Sequence, residues 1–320
     1  MPAPDEPPAV PLPEGATPLD ATAYLAAEGY LDELLVELGG TREVRAVYGR
    51  LVLADGPPRP AAWAANVWLD PWTLPVASIN AAARALRSVQ RNWALHSVAC
   101  HRRAALVAQK LPSVSARPLA FPAPAPRAPL GSFSLLDEHT LLASARCSSP
   151  FPHGEARFVE DRQGPPSRAY LKLWEALTRC GRHPQPGQRV VDLGASPGGW
   201  SWVSAGLGAS VLAVDKAPLD PAVAALPGVE QRIESAFALD PAELGPVDWM
   251  TCDVICYPSR LLSLVQRWLE SGNCSHFVCT VKFQAETDHD VARALASLPG
   301  AQLAHLHHNK HELTWLRLGN

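Results

Sequence analysis

The apolar positions along the chain follow two different patterns, one in each half. In the first half the elements are short. Apolar residues between Leu31 and Leu38 recur at helical spacing, and the glycine pair at 39–40 ends the predicted helix. Residues 44–53 alternate as in a small hairpin, and residues 78–110 predict one or two helices. Together these elements predict a small α/β domain.

The second half alternates apolar runs with amphipathic segments. The predicted helices cover residues 168–180, 200–207, 259–270 and 288–298, and the predicted strands cover residues 190–193, 211–214, 229–233, 249–252, 277–281, 302–307 and 313–318. The last two strands form a pair. Strands that alternate with helices form a parallel sheet covered on both faces, so the sequence predicts an α/β fold.

Shifts in composition divide the chain into four segments. Residues 1–20 are rich in proline and acidic side chains and lack the apolar core of a signal peptide, which predicts a disordered leader. Residues 21–111 form the predicted N-terminal domain, residues 112–147 a proline-rich linker and a hairpin, and residues 148–320 the second domain. The apolar run at 190–214 contains five glycines, a proline and an aspartate, so it is not predicted to span a membrane.

One stretch of the chain is strongly basic, although the formal net charge of the whole is −3. Residues 71–136 contain no Asp or Glu and eight Lys or Arg residues, which makes them a candidate phosphate-facing surface. An arginine-rich helix that merely faces solvent is the alternative. The predicted RNA-contacting residues are Arg84, Arg87 and Arg91, whose spacing of three and four puts them on one helix face, together with Arg102 and Arg103.

Neither the cysteines nor the histidines predict a metal site. The seven cysteines are irregularly spaced, and Cys252 and Cys256 have no second pair with which to complete a zinc site. Reduced thiols are typical of a cytoplasmic protein, which is the predicted location. The four histidines between His305 and His311 would be split between the two faces of a strand. We therefore predict no metal, no membrane attachment and, by default, a monomer.

The sharpest motif is the glycine-rich sequence Val-Val-Asp-Leu-Gly-Ala-Ser-Pro-Gly-Gly-Trp at 190–200. A buried strand that runs into a glycine turn and a helix presents backbone N–H groups at the carboxyl edge of the sheet, where such folds bind ligands. The glycine spacing is not the G-x-G-x-x-G of dinucleotide sites. Asp215 ends the next strand, where a carboxylate accepts hydrogen bonds from a ribose diol. Asp192 suits a cationic ligand such as S-adenosylmethionine (SAM); a turn without a ligand is the alternative.

Two lysines and two acids stand where the predicted sheet would bring them together. Asp253 and Lys282 each follow a buried strand directly, Glu312 opens the last strand, and Lys172 lies on the helix before the first strand. Charged residues at the ends of buried strands are costly unless they are paired, so we expect the four to meet at one site. Separate surface salt bridges are the alternative.

This combination suits removal of a proton from a weakly acidic hydroxyl. A lysine amine is mostly protonated at neutral pH and accepts no proton in that form. A second ammonium and partial burial both favour the neutral amine. We therefore predict that Lys282 is the general base when a hydroxyl oxygen attacks a methyl carbon, that Lys172 is the second ammonium, and that Asp253 and Glu312 orient the two lysines.

The order Lys172, Asp253, Lys282, Glu312 around this glycine loop resembles the K-D-K-E tetrad of the FtsJ-like RNA 2′-O-ribose methyltransferases. The resemblance implies a Rossmann-like sheet that ends in an antiparallel strand pair, SAM as the methyl donor and RNA as the partner.

A narrower resemblance, strong from about residue 130 onward, is to the RlmM-type bacterial enzymes, which methylate a cytidine ribose in 23S rRNA. The segments that carry it are residues 149–157, 166–177, 252–254 and 306–314. Family members carry a THUMP-type RNA-binding domain at the N-terminus, and residues 21–111 are predicted to be a reduced version of it.

The resemblance also implies which residues contact SAM. With the loop residues added, the predicted set is Ser167, Asp192, Gly194, Ser196, Pro197, Gly198, Gly199, Trp200, Asp215, Ser235 and Asp253. One departure concerns the acid near the third strand that reads the adenine amino group in the family. Here Ser235 or Ala236 stands in its place, so either Glu234 substitutes for it or the contact is lost.

Three other functions stay open at this point. The substrate could be another RNA, such as a tRNA or a cap, or the chain could be a SAM-binding or RNA-binding protein without catalysis. The intact tetrad argues against lost catalysis. A base or protein methyltransferase is the third alternative, and the sequence from Asp253 to Pro258 lacks the N/D-P-P-Y/F motif typical of base-amino enzymes.

Overall fold

The chain folds into two compact units. The computed structural model describes residues 11–40 and 42–319. The first unit holds the chain up to residue 60 together with residues 64–117 and 126–155, and the second holds residues 61–63, 118–125 and everything from residue 156 onward. Residues 1–10, half of the predicted leader, lie outside the described residues.

The first unit is built from three α-helices and two sheets in its described residues. The helices are α1 (Leu31–Gly39), α2 (Ile79–Val89) and α3 (His101–Ala108). The strands are β1 (Thr17–Pro18), β2 (Ala21–Ala26), β3 (Val44–Tyr48), β4 (Leu51–Asp55), β5 (Ala64–Trp68), β6 (Trp72–Pro75), β7 (Trp93–Leu95), β8 (Gly131–Leu135) and β9 (Thr140–Ser144). One sheet has the order β3-β4-β2-β5 and the other the order β1-β6-β9-β8-β7.

Helices α2 and α3 pack on the five-stranded sheet. Leu86 of α2 and Val107 of α3 share a buried core with Trp72 of β6 and Phe133 of β8. Their apolar faces are thus covered, and the polar residues on their other faces are left to solvent.

The structure corrects two boundaries predicted for the first half. The disordered leader was expected to reach residue 20, but β1 pairs with β6, and the Leu19 N–H donates to the Pro71 carbonyl at 2.9 Å. The hairpin expected between the domains forms β8 and β9, which lie inside the five-stranded sheet. Both segments gain backbone hydrogen bonds from strands distant in sequence, which a local pattern does not reveal.

The described residues of the second unit form one seven-stranded sheet and six α-helices. The helices are α4 (Tyr170–Cys180), α5 (Gly199–Gly206), α6 (Pro221–Ala224), α7 (Pro241–Leu244), α8 (Pro258–Ser271) and α9 (His289–Ala296). The strands are β10 (Arg189–Leu193), β11 (Ser210–Asp215), β12 (Val229–Ile233), β13 (Val247–Cys252), β14 (Cys274–Lys282), β15 (Ala301–Ala304) and β16 (Glu312–Arg317).

The sheet order is β12-β11-β10-β13-β14-β16-β15. Strands β10 to β14 are parallel to one another, and β16 runs antiparallel to both β14 and β15. This is a Rossmann-like α/β sheet that ends in antiparallel strands, as predicted. The sheet order brings the carboxyl ends of β10, β11, β13 and β14 to one edge, where ligands bind in such folds.

Two observations concern both units. In the described part of the chain, every helix is too short or too polar to cross a membrane. All seven cysteines are free thiols, and four of them are buried.

Candidate functional site: a glycine-loop cavity beside paired charges

Close backbone packing shapes the glycine loop after β10. Gly194 has φ +74°, and a Cβ there would lie 2.6 Å from the Cα of Val254. Gly198 has φ +115°, and its Cβ would lie 2.8 Å from a methyl group of Val223. Both positions therefore need glycine, for backbone conformation and for space. The turn that results brings the first residues of α5 to the sheet edge.

Two carboxylates hold the loop in place. Asp192 is 1% exposed and accepts hydrogen bonds from Ser201 Oγ (2.6 Å) and Thr251 Oγ1 (2.9 Å). Burial raises the pKa of the Asp192 carboxyl to about 6, against the opposing effect of the two hydroxyl donors. Asp215 accepts from the N–H groups of Ser196 and Ala217, both at 3.0 Å. Each Asp215 oxygen keeps a further lone pair for another donor.

A cavity of about 380 Å³ opens between the loop and the ends of the strands. Every residue predicted to contact the cofactor lines this cavity except Gly198, which turns the chain behind it. Lys282 and Ala236 line it as well, together with residues that the sequence did not single out: Ala169, Ala195, Lys216, Phe237, Val254, Ile255 and Arg260.

The residues that follow β12 show which side chain occupies the position of the family's adenine-reading acid. Ser235 and Phe237 line the cavity, whereas Glu234 does not and lies 3.6 Å from Arg232 Nη1. Of the two alternatives drawn from the sequence, the structure therefore disfavours substitution by Glu234. The Arg260 guanidinium lies 3.8 Å from the centre of the Phe237 ring, which joins α8 to this wall by a cation–π contact.

Ser167 and Trp200 complete the wall nearest α4. The Ser167 hydroxyl is buried, lines the cavity and has no hydrogen-bond partner in the described structure. Buried hydroxyls are normally hydrogen-bonded, so this one fits a polar ligand atom. Trp200 Nε1 donates to the Ala169 carbonyl at 2.9 Å, so its ring is fixed in a packed position.

The four charged residues do meet, beside this cavity. Lys172 Nζ lies 2.8 and 3.0 Å from the two carboxylate oxygens of Asp253 and 3.1 Å from Glu312 Oε1. Lys282 Nζ lies 3.0 Å from Asp253 Oδ1 and donates to the Asp253 backbone carbonyl at 2.6 Å. All four side chains are largely buried. Asp253 is therefore shared by both lysines.

Strand register brings these residues together. Lys282 and Glu312 are directly paired residues of the antiparallel strands β14 and β16. Asp253 follows β13, the parallel neighbour of β14 on the other side. Lys172 reaches the group from α4, whose side chains are nearly all buried.

A fifth charged residue, which the sequence analysis missed, supports this group. Glu175 lies three residues after Lys172 on α4 and is fully buried. Its carboxylate accepts from Arg179 Nε (2.8 Å) and from the backbone N–H groups of His307 (2.9 Å) and His308 (3.1 Å). The two histidines belong to the loop that leads into Glu312, so α4 holds both Lys172 and that loop. A charge inside the apolar run Leu173–Leu177 was the available signal.

The arginines predicted to contact RNA lie in the first unit. Arg84 and Arg87 are exposed on α2, and Arg102 and Arg103 lie on α3, with Arg102 exposed. Arg87 Nη1 donates to the Lys110 carbonyl after α3, at 3.0 Å.

The predicted helix face that includes Arg91 is wrong. Helix α2 ends at Val89, and Gln90 is extended, with φ −160° and ψ 173°. The Gln90 side chain donates to the carbonyls of Asn92 and Ala145, both at 3.1 Å, which draws the chain toward the sheet. Arg91 therefore lies beyond the helix.

The histidines before β16 have structural roles. Burial lowers the pKa of His305 to about 4, so its ring is neutral at physiological pH. Its Nε2 lies 3.0 Å from the Lys310 carbonyl. Within residues 11–40 and 42–319, no three His, Cys, Asp or Glu side chains are arranged to hold a metal ion.

Residues 165–294 match the family model of the FtsJ-like methyltransferases. This segment contains the glycine loop and three of the four paired charges, and the match confirms the resemblance drawn from the motifs.

The similar proteins carry a more particular name. The chain is 37% identical over 172 residues to the "Ribosomal RNA large subunit methyltransferase M" of Halorhodospira halophila, covering 51% of this chain and 50% of that protein. It is 34% identical over 212 residues to the protein of the same name from Xanthomonas campestris pv. campestris, covering 61% and 60%. The chain thus spans about half to three fifths of the length of these relatives. The narrower resemblance is confirmed.

Among solved structures, TrmN from Thermus thermophilus aligns with 93% of this chain and 99% of its own length, at 15% identity and a TM-score of 0.35. A score this low supports no further comparison.

We predict that Glu175→Ala lowers the free energy of unfolding by about 3–5 kcal/mol, because it removes a fully buried carboxylate that pairs with Arg179 and accepts from the His307 and His308 N–H groups. Urea denaturation measures the change. The matched control is Glu230→Ala, which removes an exposed carboxylate 4.0 Å from Arg232 and should change stability by less than about 0.5 kcal/mol. Equal effects of the two variants would contradict a supporting role for Glu175.

Asp192 predicts a pH dependence of stability. Its pKa rises on folding from 3.8 to about 6, so the protonated carboxyl favours the folded state. That contribution is complete below about pH 4 and is lost as the pH rises through 6. Relative to Asp192→Asn, the wild-type protein should lose about 2–3 kcal/mol of stability between pH 4 and pH 7. The measurement is the free energy of unfolding of both proteins at several pH values in this range. A constant difference between the two proteins would refute the prediction.

Proposed function

We propose that the chain is a SAM-dependent methyltransferase that methylates a ribose 2′-hydroxyl of RNA, most specifically a cytidine of 23S ribosomal RNA. The observation that carries the proposal is the paired group of Lys172, Asp253, Lys282 and Glu312, because Asp253 and Lys282 also line the glycine-loop cavity. The names of the relatives favour ribosomal RNA as the substrate. Cytidine as the target follows from the RlmM-type resemblance.

The cavity fits SAM in its size and in the chemistry of its walls. Ligand pockets commonly measure about 300–1,000 Å³, and this one measures about 380 Å³. Its lining contains the carboxylates of Asp192, Asp215 and Asp253, which suit the cationic groups of a ligand, together with the basic residues Lys216, Arg260 and Lys282. The unpartnered Ser167 hydroxyl offers a hydrogen bond. SAM would supply an electrophilic methyl group on a sulfonium. Asp215 would hold the ribose diol, and Ser235 would face the adenine.

The number of available N–H groups distinguishes the two lysines. An ammonium has three donors. Lys172 Nζ has contacts with three carboxylate oxygens, two of Asp253 and one of Glu312, so all of its donors are engaged. Lys282 Nζ contacts only the Oδ1 and carbonyl oxygens of Asp253 in the described structure and borders the cavity. One direction of the Lys282 amine is therefore left for the substrate hydroxyl.

Charge balance governs when Lys282 acts as a base. Two ammonium groups and two carboxylates neutralise one another formally, and Lys282 must lose its proton before it takes one from the 2′-hydroxyl. Asp253 and Glu312 keep the lysines in line with the cavity, and such alignment supplies much of the rate.

Replacement of Lys282 tests this function. With radiolabelled SAM and total rRNA, we expect Lys282→Ala to lower the rate of methyl transfer by about 10²–10⁴-fold, the usual contribution of a general base. Alkali-resistant linkages in the labelled RNA identify 2′-O-methylation. Binding of SAM should persist, and Lys310→Ala, which removes an exposed lysine, should label rRNA like the wild type. Equal labelling by wild type and Lys282→Ala would defeat the base assignment.

We further propose that Arg84 on α2 and Arg102 on α3 belong to a face of the first unit that binds RNA phosphates. We call it the arginine face. Arg84 and Arg102 are exposed, and no carboxylate occurs anywhere between Asp70 and Asp137 to neutralise them locally. Exposed cations without acidic neighbours in sequence favour contact with a polyanion.

The salt dependence of RNA binding tests this face. Each phosphate contact contributes about 0.7–0.9 to the slope of log K against log salt. We expect Arg84→Ala and Arg102→Ala each to weaken RNA binding and to reduce the slope by roughly that amount. Arg45→Ala, in the same unit, removes an arginine already paired with Asp55 and should change neither quantity. If the three variants show the same slope of log K against log salt, the arginine face does not bind RNA phosphates.

A further inference from the structure

The segment after Asp253 exposes two large apolar side chains. Ile255 is 77% exposed and Tyr257 is 66% exposed, the two highest values among the large exposed hydrophobic residues of the described chain. Cys256 between them is buried. Exposure of two adjacent outward-facing apolar side chains is unfavourable in water and commonly marks a binding surface.

The exposed pair begins at one wall of the cavity: Ile255 is part of that wall, and Tyr257 follows two residues later, outside the lining. Ile255 lines the cavity together with Val254 and Arg260. The Asp253 carbonyl, two residues before Ile255, accepts the hydrogen bond from Lys282 Nζ. The pair therefore starts within two residues of the proposed reaction centre.

Both ends of the segment are fixed. Asp253 is tied to two lysines, and Tyr257 leads directly into α8, which begins at Pro258 and buries Leu261. The segment is also anchored in the middle by the buried Cys256. The backbone that carries the two exposed side chains is held in place before any ligand arrives, which reduces the entropy lost on binding.

The chemistry around the pair suits an unpaired nucleobase with its phosphate. A phenol ring offers a flat surface for stacking, and an isoleucine side chain offers an apolar contact beside it. Arg260, fixed over the Phe237 ring, and Lys282 supply positive charge on the same wall. Aromatic side chains flanked by cations are the usual means of holding single-stranded RNA.

We propose that Ile255 and Tyr257 form a stacking platform for an unpaired base of the RNA segment that carries the target ribose. The platform rests on the proposed function, because it assigns a substrate contact to the same site. It assigns the substrate a structural class: single-stranded RNA at the target, since a base held in a duplex cannot stack on a side chain. Tyr257 is in this account a substrate-positioning residue, with no part in proton transfer.

Substitution of Tyr257 tests the platform. Loss of one base–aromatic stack weakens binding by about 5- to 150-fold, so Tyr257→Ala should raise the KM for RNA by a factor in that range. Tyr257→Phe keeps the ring and should stay near the wild type. SAM binding should be unchanged in both. Val159→Ala, which removes a side chain that is 59% exposed, is the matched surface control and should leave the KM unaltered.

A binding measurement separates the platform from the proposed function. A single-stranded RNA oligonucleotide that contains 2-aminopurine should lose fluorescence on binding to the wild type and to Tyr257→Phe, and lose much less with Tyr257→Ala. If the wild type stacks the oligonucleotide but methylates no RNA, the proposed function fails and the platform stands. If RNA is methylated with the same KM by wild type and Tyr257→Ala, only the platform is overturned. A changed oligomeric state of Tyr257→Ala with an unaltered KM would identify a self-association surface and would also overturn it.

Discussion

The Asp253 carboxylate is shared between two ammonium groups, and the arrangement of the second unit depends on it. Lys172 and Lys282 both lie within about 3 Å of its side-chain oxygens, and Glu312 balances the remaining charge. Buried charges are tolerated only when each is compensated, and loss of one member leaves the others uncompensated. Three neighbouring strands and one buried helix must therefore keep their register, because any slip would separate a charge from its partner.

The same sheet edge meets a second requirement, which is to keep a cavity open beside these charges. Glycine at positions 194 and 198 allows the loop to turn where a side chain would collide with Val254 or Val223. Asp192 holds the loop from inside through two hydroxyls, although burial disfavours its charge. The loop is thus built at some cost in stability, as is typical of binding sites that must stay preorganised.

The sequence predicted the second unit well because its signals are strong and local. Central parallel strands are continuous apolar runs, so β10, β11, β13 and β14 are predicted to within a few residues. The four charges are predicted to meet because three of them follow or open a strand and Lys172 lies on the helix before the first strand. In the first unit, β5, β6 and β7 are short and lack a period, so they were missed. Glu175 was missed because its partners, the His307 and His308 N–H groups, are more than a hundred residues away.

The errors have one physical origin: partners that are remote in sequence. Strand β1 exists because β6 offers it an edge, and α2 stops before Arg91 because Gln90 finds carbonyl acceptors in the sheet. The adenine side of the cavity is a different case, because the sequence does not show which side chain faces the cavity. Glu234 follows β12 directly and lies 3.6 Å from Arg232 of that strand, whereas Ser235 lines the cavity wall. A local motif identifies which residues carry charge, whereas only packing decides which of those charges remain available to a ligand.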